Sequence, residues 1–343
     1  MTPPAAKKVI RVDASSLKES ACRRRFVLQV YTGLSGDKIA VDMVYGSAFH
    51  KVVETYDLTQ GDETLAAKAG QDYLTIAFDS GKVLVTDKKK HLNNGHLFHA
   101  SRKYFHEVKT NPIFLDNKVL TISGDIMVEK KFSLKIYEDE EYIVLAQGTI
   151  DKLAEMLKTG VIAISDWKTT GAYDADQYFT QYIMSCQLRF YQCMVKKVAA
   201  RFPEREFAQK INNGRMIAFV NGAFLSAPLG ITFKRSRMFM YGNKDMEAFE
   251  VMFMEAVLQL VNDVRTLDKT GVYPMAYGII NGACQTPYGP AEVGGLCKFH
   301  KVCSSMVGLD ESVDGNRLFK SLLDTSFVKK EYRPLKFGGE GKL

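Results

Sequence analysis

Two carboxylates and a lysine stand at the ends of two predicted strands. Residues 160–170 read GVIAISDWKTT, and their apolar first half, typical of a buried strand, leads directly into Asp166, Trp167 and Lys168. Because side chains alternate along a strand, Asp166 and Lys168 are expected on one face and Trp167 on the other. Asp151 ends the preceding predicted strand. An antiparallel hairpin between the two strands would therefore bring both carboxylates to one end of a sheet.

This combination of side chains fits metal-assisted hydrolysis of a phosphodiester. Carboxylate oxygens are the ligands that Mg²⁺ and Mn²⁺ prefer. An adjacent lysine can orient or deprotonate a water molecule and stabilise charge on a phosphate oxygen. The pattern D-x-K is common by itself, and the alternative is that Asp166 caps a turn while Lys168 is a solvated surface residue.

The periodicity of apolar residues predicts the elements that must position these side chains. A capping box at 16–19 predicts a helix that begins there and carries Cys22. Residues 62–110 are predicted to be a polar, solvated helical segment. Predicted strands cover 9–12, 118–137, 140–157, 160–167, 215–225 and 229–233, and predicted helices cover 46–58, 177–202 and 243–268.

Two further pairs of polar residues occur at helical spacing. GSAFHKVVE places His50 and Glu54 on one face of a helix after Gly46, and QLRFY places Gln187 and Tyr191 on one face of a later helix. Taken alone, His50 is more often a packed helix residue, and a Gln and Tyr at this spacing are more often ordinary features of an amphipathic helix.

The order of these motifs is more specific than any one of them. G-x-x-x-H-x-x-x-E, G-x-[IV]-D, D-[aromatic]-K-T and Q-x-x-x-Y follow one another along the chain. This order resembles the RecB-type branch of the PD-(D/E)xK nuclease superfamily. The branch includes nuclease domains of recombination helicase–nucleases, CRISPR-associated and AddB-like proteins, and phage stand-alone exonucleases. The resemblance extends, in patches, from Cys22 to Cys303.

The resemblance implies a role for each matching position. His50, Asp151, Asp166 and the backbone carbonyl of Trp167 would hold a divalent metal, Mg²⁺ or Mn²⁺, and Lys168 would be the catalytic lysine. The second acid is Asp166 where many relatives have Glu, and both residue types can bind the metal. Supporting or DNA-binding roles would fall to Glu54, Glu129, Gln187 and Tyr191.

Four of the six cysteines form a second set of candidate ligands. Cys284, Cys297 and Cys303 lie close together in the sequence, and Cys22 is the distant fourth. Zinc sites usually contain two close cysteine pairs, which are not seen here. The arrangement is similar to that of iron–sulfur members of the same nuclease branch, which implies a [4Fe–4S] cluster held by all four.

Alternatives to the cluster remain open. The twelve-residue gap between Cys284 and Cys297 is longer than in many relatives, and His300 is the nearest substitute ligand. A zinc site with four cysteine ligands or free buried thiols would also account for the residues. Cys186 and Cys193 have apolar neighbours on a predicted helix and are expected in the core.

The fold that this resemblance implies is α/β, a restriction-endonuclease-like core in which helices flank a mixed central sheet. A single nuclease domain, 1–343, is expected to contain a helical insert at 56–115. The catalytic sheet and helix are expected at 117–235 and the iron–sulfur segment at 270–310. The insert and the cysteine-bound C-terminal region would form walls over the active site.

Composition limits the function further. The chain has 343 residues, 25% of them charged, and a net charge of +7, which permits a polyanionic partner. There is no apolar signal-peptide core or membrane span, and the cysteine use suggests a reducing, cytoplasmic location. No G-x-x-x-x-G-K-[ST] motif is present, so the sequence encodes no motor of that type.

The expected activity is therefore metal-dependent hydrolysis of DNA by a stand-alone exonuclease. It would act on single strands or duplex ends in repair, recombination or DNA processing, either by itself or beside a separate helicase or recombinase. The alternatives are a structure-specific or restriction-type endonuclease, and a DNA-binding scaffold with a degenerate nuclease fold.

Overall fold

The computed structural model describes residues 6–36, 38–212, 216–226, 230–274, 297, 299, 302–303 and 313–329. They fall into two compact units. The first contains the described residues of Met1–Asp37, Ser133–Gly148 and Lys244–Gly339, and the second those of Lys38–Phe132 and Thr149–Asn243.

The helices of the described residues are α1 (Ala14–Glu19), α2 (Arg23–Phe26), α3 (Val41–Leu58), α4 (Glu63–Asp79), α5 (Asn94–Thr110), α6 (Pro112–Leu115), α7 (Ala175–Thr180), α8 (Cys186–Arg201), α9 (Glu206–Asn212), α10 (Asn243–Thr270) and α11 (Val313–Ser326). A π-helical turn, Val27–Tyr31, continues α2, and a 3₁₀ turn covers Asp87–Lys89. Among these described helices, none combines the length and the apolar character that a membrane span needs.

The strands are β1 (Lys8–Val12), β2 (Leu34–Ser35), β3 (Ile39–Ala40), β4 (Val83–Leu84), β5 (Asn117–Val119), β6 (Thr121–Ile122), β7 (Asp125–Ile126), β8 (Val128–Glu138), β9 (Tyr142–Met156), β10 (Ile162–Thr170), β11 (Met216–Ser226), β12 (Gly230–Arg235) and β13 (Val328–Lys329).

The second unit is built on a mixed sheet. β10 pairs antiparallel with the end of β9 and parallel with β11, and β12 pairs antiparallel with β11. β5 adds an antiparallel strand on β9. Helices α3 and α8 both contact β10. The predicted α/β class, with helices flanking a mixed sheet, is confirmed.

The hairpin predicted between the two acid-bearing strands is confirmed. β9 ends at Met156 and β10 begins at Ile162, and their antiparallel register extends to the pair Ser165–Lys152. The turn includes Gly160 with φ of 66°, in the left-handed region that glycine adopts without steric cost. The hairpin therefore fixes the position of Asp166 relative to Asp151.

Helices α3, α4 and α5 pack into one apolar cluster that also contains Trp167. Val52 of α3, Leu74 of α4 and Leu97 of α5 have no measurable exposure. The expectation of a solvated segment at 62–110 is wrong for the inner face of these helices, because each of them is amphipathic and buries that face. His96 is buried as well, its Nδ1 lies 2.7 Å from the Tyr45 hydroxyl, and burial lowers the pKa of His96 to about 4.

Three predicted helix boundaries are wrong, one of them the start of α3, which lies at Val41 and not at 46. The helix predicted over 177–202 is two helices, α7 and α8, because the Ser185 hydroxyl caps the backbone N–H of Leu188 and starts a new helix. At the N-terminus the capping box is formed by Asp13 and Ser16, so α1 begins at Ala14 and ends before Cys22.

The first unit has a separate apolar core. Leu28, Phe299, Phe319 and Leu323 are among its buried residues. Within this unit β1 pairs in parallel with the first part of β9, from Lys8–Tyr142 to Val12–Ala146.

An acidic residue near the end of α10 joins several elements of the first unit. The Asp268 carboxylate accepts hydrogen bonds from the Tyr31 and Tyr142 hydroxyls and pairs with Lys8 Nζ at 2.7 Å. It therefore links three segments that are distant in sequence.

Candidate active site

The first element of the site is the Asp151 carboxylate. One position beyond the last pair of the β9–β10 register, Asp151 Oδ2 accepts a hydrogen bond of 2.8 Å from the backbone N–H of Trp167. This bond ties the acid of one strand to the backbone of the next, immediately after Asp166.

Three side chains could hold a divalent cation at this point. One ligand atom from each of His50, Glu129 and Asp151 lies within 4.8 Å of the other two. His50 Nδ1 is 3.4 Å from Asp151 Oδ2. Glu129, near the start of β8, has φ of 50°, which is uncommon for a residue with a side chain. An imidazole and two carboxylates are a donor set that fits Mn²⁺ or Mg²⁺.

Helix α3 carries His50 to the sheet through contacts on either side of it. Near its start, a Cβ on Gly46 would lie 2.9 Å from Thr169 Oγ1, so only glycine allows the helix to approach β10 this closely. Near its end, Asp57 pairs with Lys152 of β9 at 2.9 Å. These contacts explain why Gly46 and His50 occur in one motif.

Asp166 and Lys168 form an ion pair on the same face of β10. Lys168 Nζ lies 2.6 Å from Asp166 Oδ2, and Gln187 Nε2 of α8 donates to Asp166 Oδ1 at 3.1 Å. The same amide nitrogen lies 3.2 Å from the Tyr191 hydroxyl. The Asp166 side chain is 2% exposed, whereas the Lys168 side chain is 25% exposed.

Trp167 points to the opposite face, as alternation predicts. It lies edge-on to Tyr104 with ring centroids 5.3 Å apart and stacks on Phe114 at 5.8 Å. Its indole is buried among these rings. The tryptophan thus anchors β10 from behind, while its backbone N–H holds Asp151 on the side of the acids.

The electrostatics of the site reflect its crowded carboxylates. Burial, together with the Asp151 and Glu54 carboxylates, raises the pKa of Glu129 to about 8. Burial also raises the pKa of Asp166, although Lys168 opposes this. For Lys168, burial alone would lower the pKa, but the Asp166 and Asp151 carboxylates outweigh it and the pKa lies above its ordinary value.

The predicted site residues occupy one region of the second unit. His50, Glu129 and Asp151 are grouped, and Asp166, Lys168, Gln187 and Tyr191 form the adjoining network. Glu54 pairs with Lys51 at 2.8 Å, and its charge acts on Glu129. Asp166 is directed towards Lys168 and Gln187 and is not part of the group of three.

One neighbour of the site was not found from the sequence. Tyr178 of α7 lies near enough to Lys168 to help raise its pKa. Its ring packs edge-on against Phe224 with centroids 5.5 Å apart. The aromatic residues that follow β10 in the sequence were a sign of Tyr178. It was missed because one long helix was predicted over 177–202, and the separate helix α7 was not expected.

Three of the four candidate cluster ligands lie in the first unit, near enough for Cys22 and Cys297 to act on the charge of Cys303. Cys22 and Cys297 are buried, and burial raises the pKa of the Cys303 thiol to about 11, with smaller effects from Arg24, Cys297 and Cys22. Cys22 lies just before α2 and outside a helix, which corrects the predicted position.

Other cysteine predictions have mixed outcomes. Cys284 and the substitute ligand His300 lie outside the described residues. Cys193 is fully buried, as expected, whereas Cys186 is partly exposed at the start of α8, because the helix begins there.

Comparison with solved structures gives a match to a "Putative exonuclease" from Eubacterium rectale. The similarity covers 78% of this chain and 84% of that chain, at 13% sequence identity and a TM-score of 0.42. A sequence comparison with curated proteins gives no match. The sequence profile of the PD-(D/E)XK nuclease superfamily matches residues 15–304, which is most of the chain. The chain belongs to the PD-(D/E)XK nuclease superfamily.

Proposed function

We propose that this nuclease hydrolyses DNA phosphodiester bonds with a divalent metal ion, as a RecB-type exonuclease acting on single strands or duplex ends. The proposal is based on two neighbouring groups of side chains. His50, Glu129 and Asp151 are a candidate cation-binding set, and Lys168, whose side chain is 25% exposed, belongs to the adjoining network.

The donor set fits Mg²⁺ or Mn²⁺ by its chemistry. His50, Glu129 and Asp151 would hold the ion, and family resemblance adds Asp166 and the Trp167 carbonyl. When bound, the ion would supply Lewis acidity to the phosphoryl oxygen and lower the pKa of a water molecule.

The side chains of the chain itself have separable roles. Lys168 Nζ carries N–H donors that can orient a water molecule or contact a phosphate oxygen, where they stabilise negative charge that develops in the transition state. Gln187 holds Asp166 Oδ1 and leaves the other oxygen to Lys168. Asp151, through the Trp167 N–H, fixes the spacing between the cation-binding set and Lys168.

Plasmid digestion in Mg²⁺ or Mn²⁺ tests this activity. An exonuclease degrades linear DNA and spares closed circles, whereas a structure-specific or restriction-type endonuclease nicks or cuts circles. A catalytically degenerate scaffold cuts neither. Strands labelled at the 5′ or 3′ end then give the direction of degradation. A role beside a separate helicase or recombinase is tested by adding such a protein to the reaction. If the two work together, blunt duplex DNA should be degraded faster.

We further propose that Cys22, Cys284, Cys297 and Cys303 hold a [4Fe–4S] cluster. The proximity of Cys22, Cys297 and Cys303 in the first unit supports this, since these residues come from segments far apart in sequence. Iron–sulfur clusters take four thiolates. Protein purified without oxygen should contain about four irons per chain. One zinc and no iron would instead indicate a zinc site.

A further inference from the structure

A connected row of side chains leads away from Lys168 in the second unit. Tyr178 interacts with Lys168, and its hydroxyl lies 3.0 Å from that of Tyr182. The backbone carbonyl of Tyr182 accepts a hydrogen bond of 3.4 Å from the Tyr241 hydroxyl. Arg189 stacks over the Tyr241 ring at 4.3 Å from its centroid. The row thus joins the candidate active site to an arginine–aromatic pair.

The segment that starts this row is anchored firmly on the sheet. Gly222 of β11 lies opposite Lys168 in the register. A Cβ on Gly222 would approach the Phe224 ring to 2.6 Å and the Phe179 ring to 3.1 Å. The missing side chain leaves room for these rings to pack against β11. Helix α7 is therefore packed on the sheet beside Lys168.

Large side chains are exposed at both ends of α7. Tyr173, just before the helix, is 97% exposed, and Met184, just after it, is 77% exposed. Arg189 Nη2 lies 3.9 Å from the Met184 sulfur. An exposed tyrosine ring offers a flat apolar face, beside a candidate active site, on which a nucleobase can stack.

We propose that Tyr173 and the Arg189–Tyr241 pair bind single-stranded nucleic acid, with bases stacked on the aromatic rings and the strand leading to Lys168. The inference rests on the proposed nuclease function and names its substrate form. Base stacking on aromatic rings tolerates any sequence, and a guanidinium over a ring adds a positive charge that suits the phosphate backbone. The bases inside a paired duplex are stacked on each other and are not free to stack on these rings.

The experiment measures binding by fluorescence anisotropy in EDTA, so that no strand is cut. The probes are a labelled oligothymidine of about 16 nucleotides, an abasic strand of the same length and a blunt duplex. Tyr173→Ala and Tyr241→Leu should each weaken binding of oligothymidine by about fivefold to a hundredfold. Neither variant should change binding of the abasic strand or the duplex.

Two variants serve as matched controls. Tyr241→Phe keeps the ring and removes only the hydroxyl, and Ile76→Ala changes a side chain on α4 that is 71% exposed. Both should bind oligothymidine within about twofold of the unchanged protein. Tyr173 makes little contact in the fold, so the loss caused by Tyr173→Ala cannot come from unfolding.

Unchanged oligothymidine binding by both tyrosine variants would overturn the proposal, as would equal losses on the abasic strand and the duplex. The plasmid assay separates this failure from failure of the nuclease function. A protein that degrades linear DNA but binds oligothymidine without these rings refutes the surface alone. A protein that binds through the rings but never cuts refutes the nuclease function alone.

Discussion

Lys168 Nζ lies 2.6 Å from Asp166 Oδ2, and the two residues belong to the same strand, with Trp167 between them facing the other way. The pairing follows from the two-residue period of a strand. It keeps the lysine beside Asp166 within a single strand. Cleavage should therefore be sensitive to each member of the pair.

Loss of the lysine or either aspartate should slow cleavage. Lys168→Ala, Asp166→Ala and Asp151→Ala should each reduce the rate of linear DNA degradation by at least about a hundredfold, because each removes part of the transition-state stabilisation. Circular dichroism should show that folding is retained. Lys68→Ala, on the exposed face of α4, is the control and should keep full activity. Undiminished cutting by Asp166→Ala would contradict the assignment.

The group of three should govern metal affinity. His50→Ala and Glu129→Gln should raise the Mg²⁺ or Mn²⁺ concentration needed for half-maximal cleavage by about tenfold or more, with a smaller effect on the KM for DNA. His106→Ala changes an exposed histidine of α5 and should not alter metal dependence. If the His50 variant showed the parent's metal titration, His50 would not be a ligand.

EDTA should stop cleavage by the unchanged protein, because the carboxylates and the imidazole are proposed to act through a bound divalent ion. Excess Mg²⁺ or Mn²⁺ should restore it. Gel analysis of linear plasmid with and without chelator measures the effect. Cleavage that persists after dialysis against EDTA would contradict metal dependence.

Close packing of α4 on α3 depends on Gly70. A Cβ there would collide with Val52 and would lie 2.9 Å from the Ala48 carbonyl oxygen. Gly70→Ala should therefore lower the free energy of unfolding by about 1–3 kcal/mol, despite the better helix propensity of alanine. Gly95→Ala, at an exposed position of α5 with its nearest neighbour at 3.4 Å, should be neutral or stabilising. Urea unfolding of both variants gives the comparison.

The Asp268 carboxylate should make the stability of the first unit depend on pH. Burial would raise its pKa, but hydrogen bonds from Lys8, Tyr142 and Tyr31 outweigh this, so the folded pKa lies below the ordinary value. A carboxylate whose pKa is lower in the folded protein stabilises the fold. This stabilisation is complete above the pKa of aspartate in the unfolded chain, about 3.9, and is lost as the pH falls below that value.

Asp268→Asn should consequently lower the urea midpoint at neutral pH, and the difference from the parent should shrink only below about pH 4. Asp87→Asn, whose side chain is fully exposed, should leave the midpoint unchanged at every pH. A difference that grew as the pH fell would contradict the role given to Asp268.

The cysteine assignment also gives a prediction. Cys22→Ser, Cys297→Ser or Cys303→Ser should remove the brown colour and iron of anaerobically purified protein and lower its stability, since the cluster would link distant segments of chain. Cys186→Ser should keep the colour, because Cys186 is in the second unit, outside the proposed ligand set. Full iron content in the Cys22 variant would exclude it as a ligand.

The sequence by itself determined the features that depend on short-range periodicity. The hairpin of β9 and β10, the opposite directions of Asp166 and Trp167, and the order of motifs that marks the superfamily were all predictable. Strand alternation and turn glycine are local properties, so neighbouring residues suffice to read them. The α/β class was implied by the resemblance that this order of motifs carries.

Tertiary structure decided which residues meet across the chain. The family resemblance gave Glu129 a supporting or DNA-binding role, and only the folded chain groups it with His50 and Asp151. Burial of His96 and the break before Ser185 were also missed. The sequence of an amphipathic helix does not show which surface of the protein will cover its apolar face. Whether a serine such as Ser185 starts a new helix or lies inside a longer one also depends on the surrounding fold. Such contacts depend on packing between segments far apart in sequence, which local pattern does not encode.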